Sequence, residues 1–503
     1  MNQPLPSALY TAKSVRKLDK ITIEHFGIDG FELMTRAGKA AFHLLRKQWL
    51  DRSSEREIQV FCGGGNNGGD GYIIAGLAKN QGFSVSVVSL KNPEALKDDA
   101  KKAWSFCYAA GVDIIPFDQH CTITDGIVVD AMLGTGLSRE VLGDYRKAIT
   151  QINEAGSPVL AIDIPSGLCA DTGAELGIAV KAMHTITFIA IKQGLLTAMG
   201  PYCCGQLHFV DLGVPQAVYE TQPPSCYRLC QNNLASLIKK RPAYAHKGLY
   251  GHVLIAGGNQ GMPGAVILAA EAAMACGVGR VTVATQSEHL GALAVRRPEV
   301  MAKAVSTSSE FQAMTEGKTA LVVGPGLGQD EWAEVLLKEA LKAPLPIVLD
   351  ADALNLIACN PMLIDGRKQP IIITPHPGEA ARLLNLHAKI IQANRFDAVS
   401  ALSKRFCATT VLKGAGSLIC SHQNITLCSA GNPAMAVAGM GDVLSGVIGA
   451  FLAQGITENN AACLGVWLHS GAADELSLKQ GEIGMLAAEL IPFIRHRLNQ
   501  LRL

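Results

Sequence analysis

The chain's strongest constraint is a rhythm. Short β-branched apolar runs alternate with longer amphipathic stretches, and the series is read twice. In the first half the runs are EIQVFC (57–62), SVSVVSL (84–90), GIVVDAM (126–132), PVLAIDI (158–164), HTITFIA (184–190) and QLHFVDL (206–212). Strands separated by helix-length segments are spaced for crossover connections, so the pattern predicts βαβ units and parallel sheets. Two amphipathic stretches precede them, SVRKLDKITIEHFG and GFELMTRAGKAAFHLLRKQW, each with the period of a helix. The second series comprises GHVLIAGG (251–258), GRVTVAT (279–285), ALVVGPG (320–326), PIVLDAD (346–352), PIIITPH (370–376) and TTVLKGAG (409–416). Between the series, VPQAVYETQPPSCYRL (214–229) has no clear period and carries three prolines. The expectation is an α/β protein of two three-layer αβα domains, residues 1–215 and 231–503, joined by a linker at 216–230. The two series do not repeat each other.

Composition narrows the function. With 49% hydrophobic residues, 17% charged and a net charge of +1, the chain reads as globular, without the basic bias that nucleic acid or a membrane surface would attract. No run of about 18 apolar residues is present, so no span of a bilayer is expected. The N-terminus MNQPLPSALYTAKSV lacks the apolar core and basic flank of a signal peptide. Fourteen cysteines are scattered without paired C-x-x-C spacing, as core thiols in a reducing compartment would be, and a cytoplasmic location is expected.

The loop FCGGGNNGGDGY (61–72) follows the first strand, and Gly63, Gly65 and Gly68 fit the G-x-G-x-x-G dinucleotide spacing. The rest of that fingerprint is absent. The second strand ends SLKNPE, with only Glu94 near, beyond Pro93, and no Walker lysine is present. Asp70 inside the loop would repel a pyrophosphate. Two further acids end strands, Asp130 in GIVVD and Asp163 in VLAID. In an open parallel sheet these ends share one edge, where ligands bind. Three carboxylates there need a cation, a proton or ligand donors. Each taken alone also fits a turn former after a strand. Asn66, Asn67 and Ser166 add oxygen donors that suit an alkali or alkaline-earth cation better than zinc. AMLGTGLSRE, after Asp130, supplies a second glycine turn with Arg139 for a phosphate.

GGGNNGGDGY, VVDAMLGTGLSRE and AIDIPSGL, preceded by LMTRAG, resemble the YjeF N-terminal domain, the epimerase acting on NAD(P)HX, a hydrated nicotinamide cofactor. The likeness spans roughly residues 1–215. It implies that Asn66, Asn67, Gly68, Gly69 and Asp70, with Gly134, Thr135, Gly136, Leu137, Ser138, Arg139 and Glu140, bind the hydrate. It also implies that Asn67, Asp130 and Ser166 hold potassium, and that Asp163 contacts the substrate ring. Asp163 is the expected acid–base group.

In the second series AGMGDVLSG stands out. Gly439 and Gly441 permit a tight turn, and a helix starting near Asp442 would present free amides to an anion. Asp442 fits a base that deprotonates a hydroxyl there, and it equally fits a helix cap. KGAGS (413–417) offers a lysine and amides for nucleotide phosphate; GPGLG (324–328) fits a tight turn as well as a site. In TPHPGEAARLL, His376 suits either substrate or a structural hydrogen bond. Asp350 and Asp352 in VLDADALN suit either the site or a cap.

These motifs, with GGNQGMPGA, are similar to the YjeF C-terminal domain, a ribokinase-like ADP/ATP-dependent NAD(P)HX dehydratase, over roughly residues 231–503. Met440 is larger than the residue usual there. The resemblance implies that Gly326 or Gly328, His376 and Asp442, with Ala265, contact the hydrate. It assigns Lys413, Gly414, Ala415, Gly416, Ser417 and Gly441 to an adenine nucleotide, ADP, accompanied by Mg²⁺. Asp442 would then deprotonate the ring hydroxyl, which takes a phosphoryl group from ADP. The partners implied are NADHX or NADPHX and ADP, and a homo-oligomer is expected. Other readings are a ribokinase-like small-molecule kinase with an accessory domain, and a non-catalytic nucleotide-sensing first half.

Overall fold

The computed structural model describes residues 5–51, 57–118, 122–123 and 125–501. The first four residues of the stretch read for a signal peptide lie outside them. The chain divides into two compact units, Met1–Tyr227 and Arg228–Leu503. The stretch 216–230 is not structureless: it holds a short helix, Gln216–Glu220, and a strand, Cys226–Arg228. Val218 and Cys226 are buried, which anchors both despite the prolines between them.

In the first unit the sheet strands are β1 (Ile58–Cys62), β2 (Val85–Ser89), β3 (Asp113–Pro116), β4 (Ile127–Ala131), β5 (Val159–Ile162), β6 (His184–Phe188) and β7 (Gln206–Val210). They lie in the order β3-β2-β1-β4-β5-β6-β7, all parallel. The order reverses between β1 and β4, which makes that point the expected ligand crevice. β1, β4, β5 and β6 are buried throughout, as strands covered on both faces must be. β3 was not foreseen from the sequence, since DIIP is short and largely exposed at the sheet edge.

The second unit continues with β8 (His252–Ala256), β9 (Arg280–Thr285), β10 (Met301–Ala304), β11 (Ala320–Val323), β12 (Ile347–Leu349), β13 (Ile371–Ile373), β14 (Thr409–Leu412), β15 (Ser417–Ser421) and β16 (Asn424–Cys428). Their order is β10-β9-β8-β11-β12-β13-β14-β15-β16, parallel as far as β14 and antiparallel beyond. KGAGS therefore forms the turn of a hairpin between β14 and β15. Among the described residues no helix is long and apolar enough to cross a membrane.

Helix Met440–Ala453, which carries Asp442, is buried from Val443 to Ala453 and packs on helix Pro263–Ala275. The two approach so closely that a Cβ on Gly446 would lie 2.1 Å from the carbonyl oxygen of Ala269. Backbone cannot retreat as a side chain can, so Gly446→Ala is expected to destabilise the second unit by about 1–3 kcal/mol, read as a lower urea midpoint.

Candidate functional site

Each unit places its candidate residues at the carboxyl ends of its central strands. In the first, a cavity of about 1180 Å³ is lined by Asn66, Asn67, Asp70, the turn Gly134–Arg139, Asp163 and Lys192. The glycine loop serves packing before it serves any ligand. A Cβ on Gly63 would fall 1.8 Å from the carbonyl oxygen of Met132, and one on Gly68 would fall 2.2 Å from that of Gly63. The loop is thereby pressed against the turn that follows β4, and helix Asn66–Asn80 starts at once without a side-chain cap.

The three expected acids do not converge. Asp130 lies beneath the cavity, fully buried, and accepts from Met132 N at 3.2 Å, Ser166 N at 2.8 Å and Ser166 Oγ at 2.6 Å. Burial raises its carboxyl to about 6 despite those bonds. Asp70 and Asp163 do line the cavity, and a third acid joins them: Asp19, from helix Ala12–Phe26. Asp163 holds a left-handed backbone, φ +66°, which turns the chain out of β5. It pairs with Lys192, a side chain only 1% exposed. The ammonium also donates to Thr187 Oγ1 at 3.0 Å and Phe188 O at 3.1 Å, so its three hydrogens are all engaged. Burial, then Asp163 and Asp19, push Asp70 well above the usual carboxylate range.

Asn67 is buried, and neither atom of its amide has a hydrogen-bond partner among the described residues. An orphaned buried amide, beside the Gly134 turn and in a unit where Asp130 and Ser166 supply further buried oxygens, fits an oxygen-coordinated cation. Gly68 and Gly69 face the packing side of the helix rather than the cavity. Glu140 leaves it too, lying 3.9 Å from Arg146 in a largely exposed position.

In the second unit Lys413 turns inward. Its ammonium lies 2.8 Å from Asp350 and 3.7 Å from Glu379, so its charge is spent inside the protein, which the sequence did not indicate. Asp350, fully buried, also accepts from Ser445 Oγ. Burial pushes Asp350 up, but Lys413 and these hydrogen bonds outweigh it and hold the carboxyl below its ordinary value. A Cβ on Gly441 would lie 3.4 Å from both the Asp350 carboxylate and the Lys413 ammonium, so the pair sits directly behind the glycine turn. Asp442 lies in the first turn of helix Met440–Ala453 and does not cap it. Burial, with Asp350 adding to it and Lys413 opposing, raises Asp442 to about 7.

His376 caps helix Pro377–Leu384, accepting from Gly378 N at 2.9 Å through Nδ1, and leaves half its side chain exposed. Ala265 meets Gly326, whose added Cβ would lie 3.0 Å from it. Gly328 donates to Asp352 at 2.9 Å. Under the β14–β15 turn lies Arg395, 1% exposed, donating to Leu412 O at 3.2 Å, Lys413 O at 3.3 Å and Gln392 Oε1 at 2.9 Å.

Two family models match the chain: "YjeF-related protein N-terminus" over residues 30–194 and "NAD(P)H-hydrate dehydratase" over 253–496. Among relatives, the bifunctional NAD(P)H-hydrate repair enzyme Nnr of Coxiella burnetii is 43% identical, covering 98% of this chain and all of that protein. The enzyme of the same name from Escherichia coli is 39% identical over 98% of this chain and 95% of its own. The chain belongs to the bifunctional NAD(P)H-hydrate repair enzymes. A solved ADP/ATP-dependent NAD(P)H-hydrate dehydratase from Bacillus subtilis, co-crystallised with ATP and Mg²⁺, matches with 27% identity and a TM-score of 0.50. It covers 55% of this chain and 98% of that one.

In this repair enzyme, sequence reasoning missed Asp19, Lys192 and Arg395. Lys192 had a signal, a single charge within the apolar run HTITFIAIKQGLL. Asp19 and Arg395 sit in ordinary amphipathic helices and had none. Replacing Arg395 with Met would leave two strand-end carbonyls unsatisfied. The variant is expected to lose about 1–3 kcal/mol per orphaned group, measured by equilibrium denaturation.

Proposed function

We propose that the first unit interconverts the R and S epimers of NADHX and NADPHX, and that the second dehydrates the S epimer with ADP, giving AMP and phosphate. The observation that carries this is the presence, in one chain co-linear with repair enzymes, of an acid–base cavity and of Asp442 at an uncapped helix start. In the first unit Asp163 exchanges protons with the hydrate, and the Gly134–Arg139 turn, with Arg139, receives its phosphates. Asn67, Asp130 and Ser166 would hold potassium, whose charge would fix the floor of the cavity.

In the second unit Asp442 takes the proton of the C6 hydroxyl. The oxygen attacks the β-phosphorus of ADP and AMP leaves. The new phosphate ester then departs as phosphate with the C6–O electron pair, and loss of a C5 proton restores the C5=C6 double bond. The amides at the start of helix Met440–Ala453, together with the β14–β15 turn, stabilise the transferring phosphoryl charge. Magnesium enters with the nucleotide and screens its phosphates. Lys413 acts on this site through Asp350.

Chemically hydrated NADH, mixed with the full chain, ADP and Mg²⁺, is expected to regain all its NADH absorbance with one phosphate released per turnover. Asp163→Ala should recover one epimer only, and Asp442→Ala should lower dehydration by about 10²–10⁴-fold. Failure to recover either epimer with ADP or ATP would overturn the reading. A second prediction concerns pH. Asp442 must be ionised to act as base, so dehydration rises with pH through about 7 and then levels. Asp350 lifts Asp442 by like-charge repulsion; in Asp350→Asn that repulsion is gone while Lys413 remains, so the rising limb moves to lower pH. A pH profile of kcat/KM checks the direction.

A further inference from the structure

Helix Ala12–Phe26 precedes the region matched by the first family model, yet it contributes Val15, Arg16, Asp19 and Ile23 to the wall of the first unit's cavity. Its apolar face, Ala12, Val15, Leu18 and Thr22, packs inward, and Asp19 stands beside that face. Arg16 donates to Thr135 O at 3.3 Å, joining this helix to the turn Gly134–Arg139. The carboxyl of Asp19 has no hydrogen bond or ion pair among the described residues, and neither has that of Asp70. Both are left for a ligand.

The charges around them do not balance. The three acids stand with one buried cation, Lys192, whose hydrogens are already directed to Asp163, Thr187 and Phe188, while the other cations of the wall, Arg16, Lys91 and Arg139, are exposed. That ammonium is committed to Asp163, and burial raises the proton affinity of the other two acids. Such an acid is a proton donor.

We propose that Asp19 is a catalytic acid of the epimerase site, giving its proton to the C6 hydroxyl of the bound hydrate while Asp163 serves as base. This rests on the repair reading above. Asp19 protonates the C6 hydroxyl oxygen as the C6–O bond breaks, and the electron pair leaves with water. The N1 lone pair forms an N1=C6 iminium, whose planar carbon has lost its configuration. Water adds to either face and yields a proton to the Asp163 carboxylate. That proton returns to Asp19 through solvent, so no atom or electron is gained or lost. Asp19 suits the role better than Asp70. Burial, with Lys192 opposing and Asp163 adding, places Asp19 at about 6, whereas Asp70 is pushed well above its ordinary value, and Asp19 stands on the helix that Arg16 ties to the Gly134–Arg139 turn of the same cavity.

Groups facing Asp19 are Asp70, Asp163 and Lys192 from other elements, with Arg16 on its own helix and Lys91, Asp99 and Arg139 on the cavity wall. The test uses the full chain without ADP, following interconversion of chromatographically separated NADHX epimers above the spontaneous rate. Wild-type kcat/KM is expected to fall as pH rises through about 6, because the acid must be protonated. Asp19→Asn should lower kcat about 100-fold, leave hydrate binding within about threefold, and remove that limb. Asp19→Glu should keep the limb. Dehydration of the S epimer with ADP, in the same samples, reports that the chain is folded. An Asp19→Asn rate within twofold of wild type, or loss of hydrate binding together with rate, would overturn the proposal. Absence of interconversion by the wild-type chain would instead overturn the repair reading beneath it.

Discussion

Both sites depend on a buried lysine–aspartate pair. Lys192 meets Asp163 where β5 ends, and Lys413 meets Asp350 where β12 ends. Such pairs add little to stability, because removing two charges from water costs about as much as their attraction returns. What they supply is a fixed potential. In the second unit the pair stands behind Gly441, where Asp350 raises the neighbouring Asp442 and Lys413 limits the rise. In the first, the lysine pairs with Asp163, while Asp19 and Asp70 stand in the same cavity without an ion pair among the described residues. Burial and these neighbours raise the proton affinity of Asp442, Asp19 and Asp70 while Asp350 is held below its ordinary value.

Glycine makes those arrangements reachable. Gly63 and Gly68 bring the loop after β1 onto the turn after β4, and Gly446 brings the Asp442 helix onto helix Pro263–Ala275. Read only as a phosphate fingerprint, the first loop poses a contradiction, since Asp70 stands inside it. Read as close packing, it poses none. The carboxyl of Asp70 reaches the cavity among other acids, and the turn carrying Arg139 lines the same cavity.

Much of this was legible in the sequence. Short β-branched apolar runs marked every central strand, because strands buried on both faces must be continuously apolar. Edge elements escaped for the converse reason: DIIP and Met301–Ala304 are short and exposed, so no apolar run announces them. Of the residues read on loops after strands, Asn66, Asn67, Asp70, the turn Gly134–Arg139 and Asp163 line the first cavity, and glycine and aspartate there break the apolar pattern. Asp19 escaped because an acid on an amphipathic helix looks solvated until the fold turns that helix over a cavity. Asp130 was read as a cavity acid, yet the register of β4 and its bonds to Ser166 draw it below the floor. Lys413 was read as reaching outward, yet Asp350 and Glu379 supply its partners within.

Hydration of a nicotinamide ring creates a stereocentre at C6 without a template, so both configurations arise. On the role proposed for Asp442, a pocket that places one hydroxyl in line with that carboxylate and a phosphoryl group misplaces the other, because inversion at C6 moves that oxygen to the opposite ring face. Relaxing the pocket to admit both would weaken the positioning on which phosphoryl transfer depends. Separate chemistry at C6 resolves the conflict. It needs only to break and remake one C–O bond, which asks for a proton donor and acceptor and no nucleotide. The two units divide the work accordingly, with a cavity rich in carboxyls in one and a helix start with a single tuned aspartate in the other.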